Sequence, residues 1–291
     1  MYVITDDRCT GYESHGHPER PERITATVAR LRAQTELDIT WLTPEPIPDE
    51  ILLRTHSAAY LGRLRAARDF DADTPWFPQI ESVARLSAGA ALLALEHARA
   101  GQPVFSLMRP PGHHATHQHP MGFCYLNNAA IATHQARQQG VGRVAVFDFD
   151  VHHGNGTEEF LRDLPGTGFF SVHEYPCYPG TGAARAGTNC FNYPVAPHSS
   201  REIYRAVLGE ALDDLCAFRP DLIVVSAGFD AYAHDPLANS PLLGKDFHWL
   251  GLELRRSGAP MLSLLEGGYS NALPELIFAY LKGLAGRQLA S

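Results

Sequence analysis

No run of about 18 apolar residues occurs anywhere in the 291-residue sequence, so no segment reads as a membrane-spanning helix. The opening residues, MYVITDDRCT, carry no basic stretch followed by an apolar one and do not read as an export signal. Positive charge is in deficit. With 24 Lys and Arg against 32 Asp and Glu, the formal net charge of -8 gives no whole-surface attraction for nucleic acid and favours cationic partners such as amines or Lys-rich peptides. Cysteine is scarce: Cys9, Cys124, Cys177, Cys190 and Cys216 are scattered with no C-x-x-C pair, which argues against a zinc knuckle or dithiol centre and for small inert thiols in a reducing cytoplasm. Internal repeats, low-complexity tracts and linkers are also lacking, so residues 1–291 are expected to form one domain.

Histidine, by contrast, is abundant. Eight of its 15 copies cluster in HGH (15–17), HHATHQH (113–119) and HH (152–153). Around these clusters, short β-branched runs at 103–107, 143–149, 167–172, 221–227 and 260–265 read as buried strands. Apolar-periodic stretches at 22–34, 82–100, 126–139, 201–218 and 271–284 read as helices. This alternation predicts an α/β domain, a parallel sheet with helices on both faces.

Each polar cluster follows one of those strands: RPPGHH (109–114), DVHHGNG (150–156), HEYPCYPGTG (173–182), GFDAYAHDP (228–236) and EGGY (266–269). In parallel sheets ligands bind beyond the carboxyl ends of strands, so the five clusters are expected to converge on one face. In DFDVHHGNG, residues two apart share a face, which aligns Asp148, Asp150 and His152. At roughly 3.3 Å per residue only neighbours in that row can share one metal, so Asp150 and His152 are the ligands and Asp148 an acceptor that orients a histidine. The bland alternative is a strand end that caps the next helix through Asn155 or Thr157. Asp230, after a glycine that permits a sharp turn, supplies the third ligand, whereas Asp235, before Pro236, reads as a turn residue. Three protein ligands leave a position open, the pattern of a catalytic metal. His113 and His114 follow Pro-Pro-Gly, and either could act as a base; Tyr269 could donate a hydrogen bond to a developing oxyanion, and His117 and His119 read as loop residues.

Taken together, HPERPERI (17–24), THSAAYL (55–61), RPPGHHA (109–115), GFCYLNNAAIA (122–132), DFDVHHGNGT (148–157), SVHEYPCYPGTG (171–182), AGFDAYAHDPL (227–237) and LEGGYS (265–270) resemble the histone deacetylase superfamily. That superfamily includes class II lysine deacetylases, acetylpolyamine amidohydrolases and acetoin-utilisation proteins. The resemblance implies an arginase–deacetylase fold with a mostly parallel sheet of about eight strands. It implies one zinc on Asp150, His152 and Asp230, with iron(II) also suited to such donors. It implies His114 as general base and acid, His113 with Asp148 as its electrostatic partner, and Tyr269 as oxyanion donor. Gly122, Phe123, Tyr178 and Leu237 match positions along a narrow acyl channel, and a structural potassium ion is implied near Asp148, Asp150 and His152 with Ser171 contributing. The implied substrate is an acyl-lysine protein or peptide, with a small acylated amine as the alternative. Three departures from the common pattern bear on this. Asn155 stands where class I members have aspartate, which should leave His114 less basic. Tyr178 replaces a phenylalanine, which adds a hydroxyl to the channel. Leu237 stands where a polyamine-specific enzyme would have glutamate. A dinuclear manganese ureohydrolase, which would need further bridging carboxylates, and a non-hydrolytic acyl-lysine-binding module are the rival readings.

Overall fold

The computed structural model describes residues 1–289. Five buried runs form contiguous strands: β3 (Val104–Ser106), β4 (Val144–Asp148), β5 (Thr167–Glu174), β7 (Leu222–Ala227) and β8 (Met261–Leu265). Three more extend the sheet: β1 (Tyr2–Ile4) and β2 (Thr40–Leu42) at one edge and β6 (Cys190–Val195) at the other, in the order β2-β1-β3-β8-β7-β4-β5-β6. All seven pairings are parallel, so this is the eight-stranded architecture expected from the sequence. The five strands evident in sequence are the five central ones. Covered on both faces, they are almost wholly buried and rich in apolar residues, whereas β2 is half exposed and β6 is partly exposed. These strands, and the three-residue β1, leave too little apolar run to be read from the sequence.

Helices cover both faces in one domain. The expected helices are α1 (Glu22–Ala33), α4 (Ile80–Arg99), α5 (Asn128–Gln138), α7 (Arg201–Phe218) and α9 (Leu273–Leu284). Four others were not anticipated: α2 (Asp49–Leu52), α3 (Ala58–Arg65), α6 (Asn155–Leu161) and α8 (Gly244–Arg256). No helix among the described residues is long and apolar enough to cross a membrane. α5 starts two residues later than its periodicity suggests because the Asn127 side chain accepts from the Ala130 amide, 2.9 Å, and caps the helix there. α8 and α9 touch backbone to backbone. A Cβ on Gly283 would lie 2.1 Å from the His248 carbonyl oxygen, and one on Gly251 would lie 2.4 Å from that of Tyr280.

The segment before α1 is tied under the site by a buried ion network. Arg109 donates Nε to Glu19 Oε1 and Nη2 to Glu19 Oε2, both at 2.7 Å, and its Nη1 donates to the Cys9 and Tyr12 carbonyls. Arg23 donates Nη1 to the same carboxylate at 3.2 Å, and the Tyr12 hydroxyl adds a donor at 2.9 Å. Burial alone would raise the Glu19 pKa, but the Arg109 guanidinium outweighs it and holds the carboxyl below its usual range.

Two expectations follow. Gly283→Ala should destabilise the protein by ~1–3 kcal/mol in urea unfolding, because the methyl has no space between α8 and α9. Glu19→Gln should cost ~3 kcal/mol or more at pH 7, because it leaves two guanidinium groups buried without their counter-charge. Since the folded Glu19 pKa is depressed, its contribution is present above the unfolded value, about 4.3, and is lost as pH falls through the folded one. The difference between wild type and Glu19→Gln should therefore shrink in that acid window; a gap that stays constant with pH would contradict the ion-pair account.

Candidate active site

Strand β4 ends at Asp148, and the chain beyond it carries Asp150 and His152 across the carboxyl edge of the sheet, where Asp230 arrives from β7. His152 Nδ1 lies 3.1 Å from Asp150 Oδ1 and 3.1 Å from Asp230 Oδ2. The remaining carboxylate valences are held by backbone amides: Gly267 N–H donates to Asp150 Oδ2 at 2.7 Å and Val151 N–H to Asp230 Oδ1 at 2.8 Å. Glycines make this approach possible, since a Cβ on Gly228 would lie 2.1 Å from Asp150 Oδ2 and one on Gly267 2.1 Å from Asp230 Oδ2.

The electrostatics match a cation site. Burial, and then Asp150, push the Asp230 carboxyl up to about 7. Asp150 is held below the usual carboxylate range despite its burial, first by His113 and then by His152. Two buried carboxylates and an imidazole with one donor atom each inside a 4.8 Å group are a hard and borderline donor set that suits a divalent ion. A second group, His113, Cys124 and Glu266, meets the same spacing. Its members are already engaged: His113 Nδ1 with Asp148, the Cys124 thiol with the Gly122 carbonyl, and Glu266 with backbone amides.

The His113 and His114 rings lie with centroids 4.0 Å apart, tilted by 39°, but have opposite environments. His113 Nδ1 lies 3.0 Å from Asp148 Oδ2, and Asp148 Oδ1 accepts from the Asp150 amide. Burial would lower the His113 pKa, but Asp150, Asp148 and Glu266 push it up to about 10. His114 Nδ1 lies 2.8 Å from the neutral Asn155 Oδ1, and burial, His113 and His152 hold it well below its ordinary value. One ring is therefore held as a cation beside another held neutral, an arrangement that separates two roles. Asn155 opens α6 but uses its side chain on His114, and Gly154 occupies the N-cap.

His114, His152 and Tyr269 line a cleft of about 350 Å³. Phe123 and Tyr178 also line it, with Tyr178 39% exposed and Leu237 37% exposed at its outer end beside His17 and Asp73. Gly122 is confined to glycine twice over: its φ is 56°, and a Cβ would lie 2.4 Å from the His114 ring. Phe123 follows with φ 68° and packs edge-on against Tyr269 at 5.6 Å. A roomier hollow of about 490 Å³ between residues 43–51 and α4 contains none of these groups.

The structure also recruits residues that the sequence reading passed over. Asp235 forms the expected turn by accepting from Leu237 N–H at 3.1 Å, but it also accepts from the amides of Tyr269, 2.7 Å, and Ser270, 3.1 Å. Arg23 donates to the carbonyls of Gly268 and Glu266 and sits 4.9 Å over the Tyr269 ring. The only sequence signal for Arg23 was its place in HPERPERI. Ser171 pairs in register with Asp148 and places its hydroxyl 2.9 Å from His173 Nδ1.

Comparison with known proteins agrees with this geometry. The family model described as "Histone deacetylase domain" matches residues 17–284. A probable deacetylase of Methanothermobacter thermautotrophicus is 40% identical, over 95% of this chain and 89% of its own length. A histone deacetylase-like amidohydrolase of Pseudomonas aeruginosa is 37% identical, over 93% of this chain and 77% of its own. The crystal structure of an acetylpolyamine aminohydrolase from Burkholderia pseudomallei superposes with a TM-score of 0.88 at 27% identity, covering 98% of each chain. With its eight-stranded parallel sheet and its match through residue 284, this chain belongs to the histone deacetylase domain family.

Proposed function

We propose that the chain is a zinc-dependent amidohydrolase that removes acetyl or other acyl groups from lysine side chains of proteins or peptides. The observation that carries this reading is the histidine pair, one ring charged and one neutral, beside a three-ligand group in an aromatic-walled cleft. Held by Asp150, His152 and Asp230, one divalent ion would supply the positive charge that polarises an acyl carbonyl and acidifies a water. Zinc is the ion proposed, and the same donors suit iron(II).

The chain's own groups account for the proton movements. Asn155 Oδ1 is an acceptor, so His114 carries its proton on Nδ1 and keeps Nε2 free to take one from the attacking water. His113, its charge maintained by Asp148, keeps His114 from being protonated beforehand and stabilises negative charge that develops nearby. The Tyr269 hydroxyl donates to the oxyanion as water adds to the carbonyl carbon. Cleavage of the C–N bond then takes the proton from His114 Nε2 to the leaving nitrogen, and the remaining proton of the added water passes from the new carboxylic acid to the amine, leaving a carboxylate and a protonated amine. Phe123 and Tyr178 give the aliphatic stem of an acyl-lysine apolar walls.

A second reading, a small acylated amine as substrate, is favoured by one feature: Asp73 lines the outer cleft, where it would attract a second cationic centre. Turnover of an acetyl-lysine peptide compared with acetylputrescine separates the two, and preference for the peptide is expected. Tyr269→Phe and His114→Ala should each lower kcat by ~100-fold or more. Near-normal turnover in Tyr269→Phe would remove the oxyanion role. Chelation should abolish turnover and one equivalent of zinc per chain should restore it; a requirement for two equivalents would instead favour a dinuclear site.

A further inference from the structure

Glu266, just past the end of β8, is fully buried, lies outside the cleft lining and does not belong to the Asp150, His152 and Asp230 group. Its Oε2 accepts from two consecutive amides, Gly112 N–H at 2.7 Å and His113 N–H at 3.1 Å, while Oε1 accepts from the Ser226 hydroxyl at 3.0 Å. The other side of the same stretch is fixed too. The His113 carbonyl accepts from Thr157 N–H at 3.1 Å, and Gly112 packs so closely on α5 that a Cβ would lie 2.6 Å from the Asn128 nitrogen. The two histidine side chains thus inherit their positions from a backbone whose one carboxyl acceptor among the described residues is Glu266, which burial pushes up to about 7. Burying a carboxylate is costly unless its oxygens are satisfied, and here three donors satisfy them.

We propose that Glu266 is a positioning residue, one that holds the backbone of His113 and His114 against the metal group and the cleft. The assignment rests on the amidohydrolase reading for its kinetic consequence, but not for the structural claim itself. A competing account is that Glu266 acts through charge, since it lies near enough to His113 to favour its protonated form.

Two substitutions separate position from charge. Glu266→Gln loses the charge but keeps a carbonyl oxygen for both amides, and its NH2 can donate to a rotated Ser226 hydroxyl. Glu266→Asp keeps the charge but withdraws the oxygens by one methylene. Under the positioning account Glu266→Asp lowers kcat by ~30-fold or more with KM within about threefold, because misplacement of about 1 Å can cost ~100-fold in rate. Glu266→Gln then recovers at least ~10-fold of that loss with the pH profile unchanged in shape. The opposite order, equal impairment of both variants, or wild-type turnover in both overturns the proposal.

Amide hydrogen exchange of the 109–116 segment, measured on metal-free protein, gives a readout independent of turnover. Exchange should be faster than wild type in Glu266→Asp and at wild-type rate in Glu266→Gln; equal exchange in all three overturns the proposal. If the wild-type protein turns over no acylated amine, the amidohydrolase reading fails while the exchange comparison still decides the role of Glu266. If Glu266→Asp does not fold, Glu266→Gln decides alone, and loss of protection in it counts against the proposal.

Discussion

Asp150 and Asp230 are buried with carboxylate oxygens in one 4.8 Å group, and their mutual repulsion is the constraint that the rest of the carboxyl face answers. Like charges at that distance in a poorly hydrated place cannot both remain ionised without compensation, as the upward shift of Asp230 records. The compensation is local and specific. His152 stands between the two carboxylates, amides of Gly267 and Val151 each take one of their oxygens, and His113 is drawn to its charged form nearby. A divalent ion held by these groups would complete the same balance. The site is therefore both a source of strain in the fold and the reason a metal would be bound.

The loops that carry this arrangement are held by buried charges of a second kind. Asp235 takes the amides that precede and follow Tyr269, and Glu266 takes those of Gly112 and His113, so each of two separate strand-end loops is fixed by a carboxylate from another loop. Arg23 and Arg109, joined through Glu19, tie the segment before α1 to the ends of β3 and β8. Arg23 also covers the Tyr269 ring, so the same ion network that steadies the N-terminal part of the chain backs one wall of the cleft. Stability and site geometry share residues here, and a substitution at Glu19 or Arg23 would be felt in both.

The central strands are legible in the sequence because burial on both faces makes them rich in apolar residues, and the strand ends are legible because polar clusters begin where apolar runs stop. The edge strands are short or mixed and α6 has too few turns to show an apolar period, whereas α8 is amphipathic along 13 residues and was legible in principle. Asp235 illustrates the limit within the site. Its turn with Leu237 is local and follows from Asp before Pro, whereas its bonds to Tyr269 and Ser270 span more than 30 positions and leave no mark in either segment.

By itself the sequence determines the α/β alternation, the gathering of histidines and carboxylates after strands, and the family to which those motifs conform, because each depends on residue type and short spacing. The period of two along 148–152 likewise separates Asp148 from its neighbours before any coordinates are known. Tertiary structure alone decides that His113 is held charged and His114 neutral, since Asp150 and Asp148 from another strand end lie against one ring, while burial and the neighbouring His113 and His152 act on the other. It also decides that Glu266 faces Gly112 and His113 rather than solvent, because β3 and β8, more than 150 residues apart in the chain, lie side by side in the sheet. Through-space charge and hydrogen bonding depend on distance in three dimensions, which residue order does not contain.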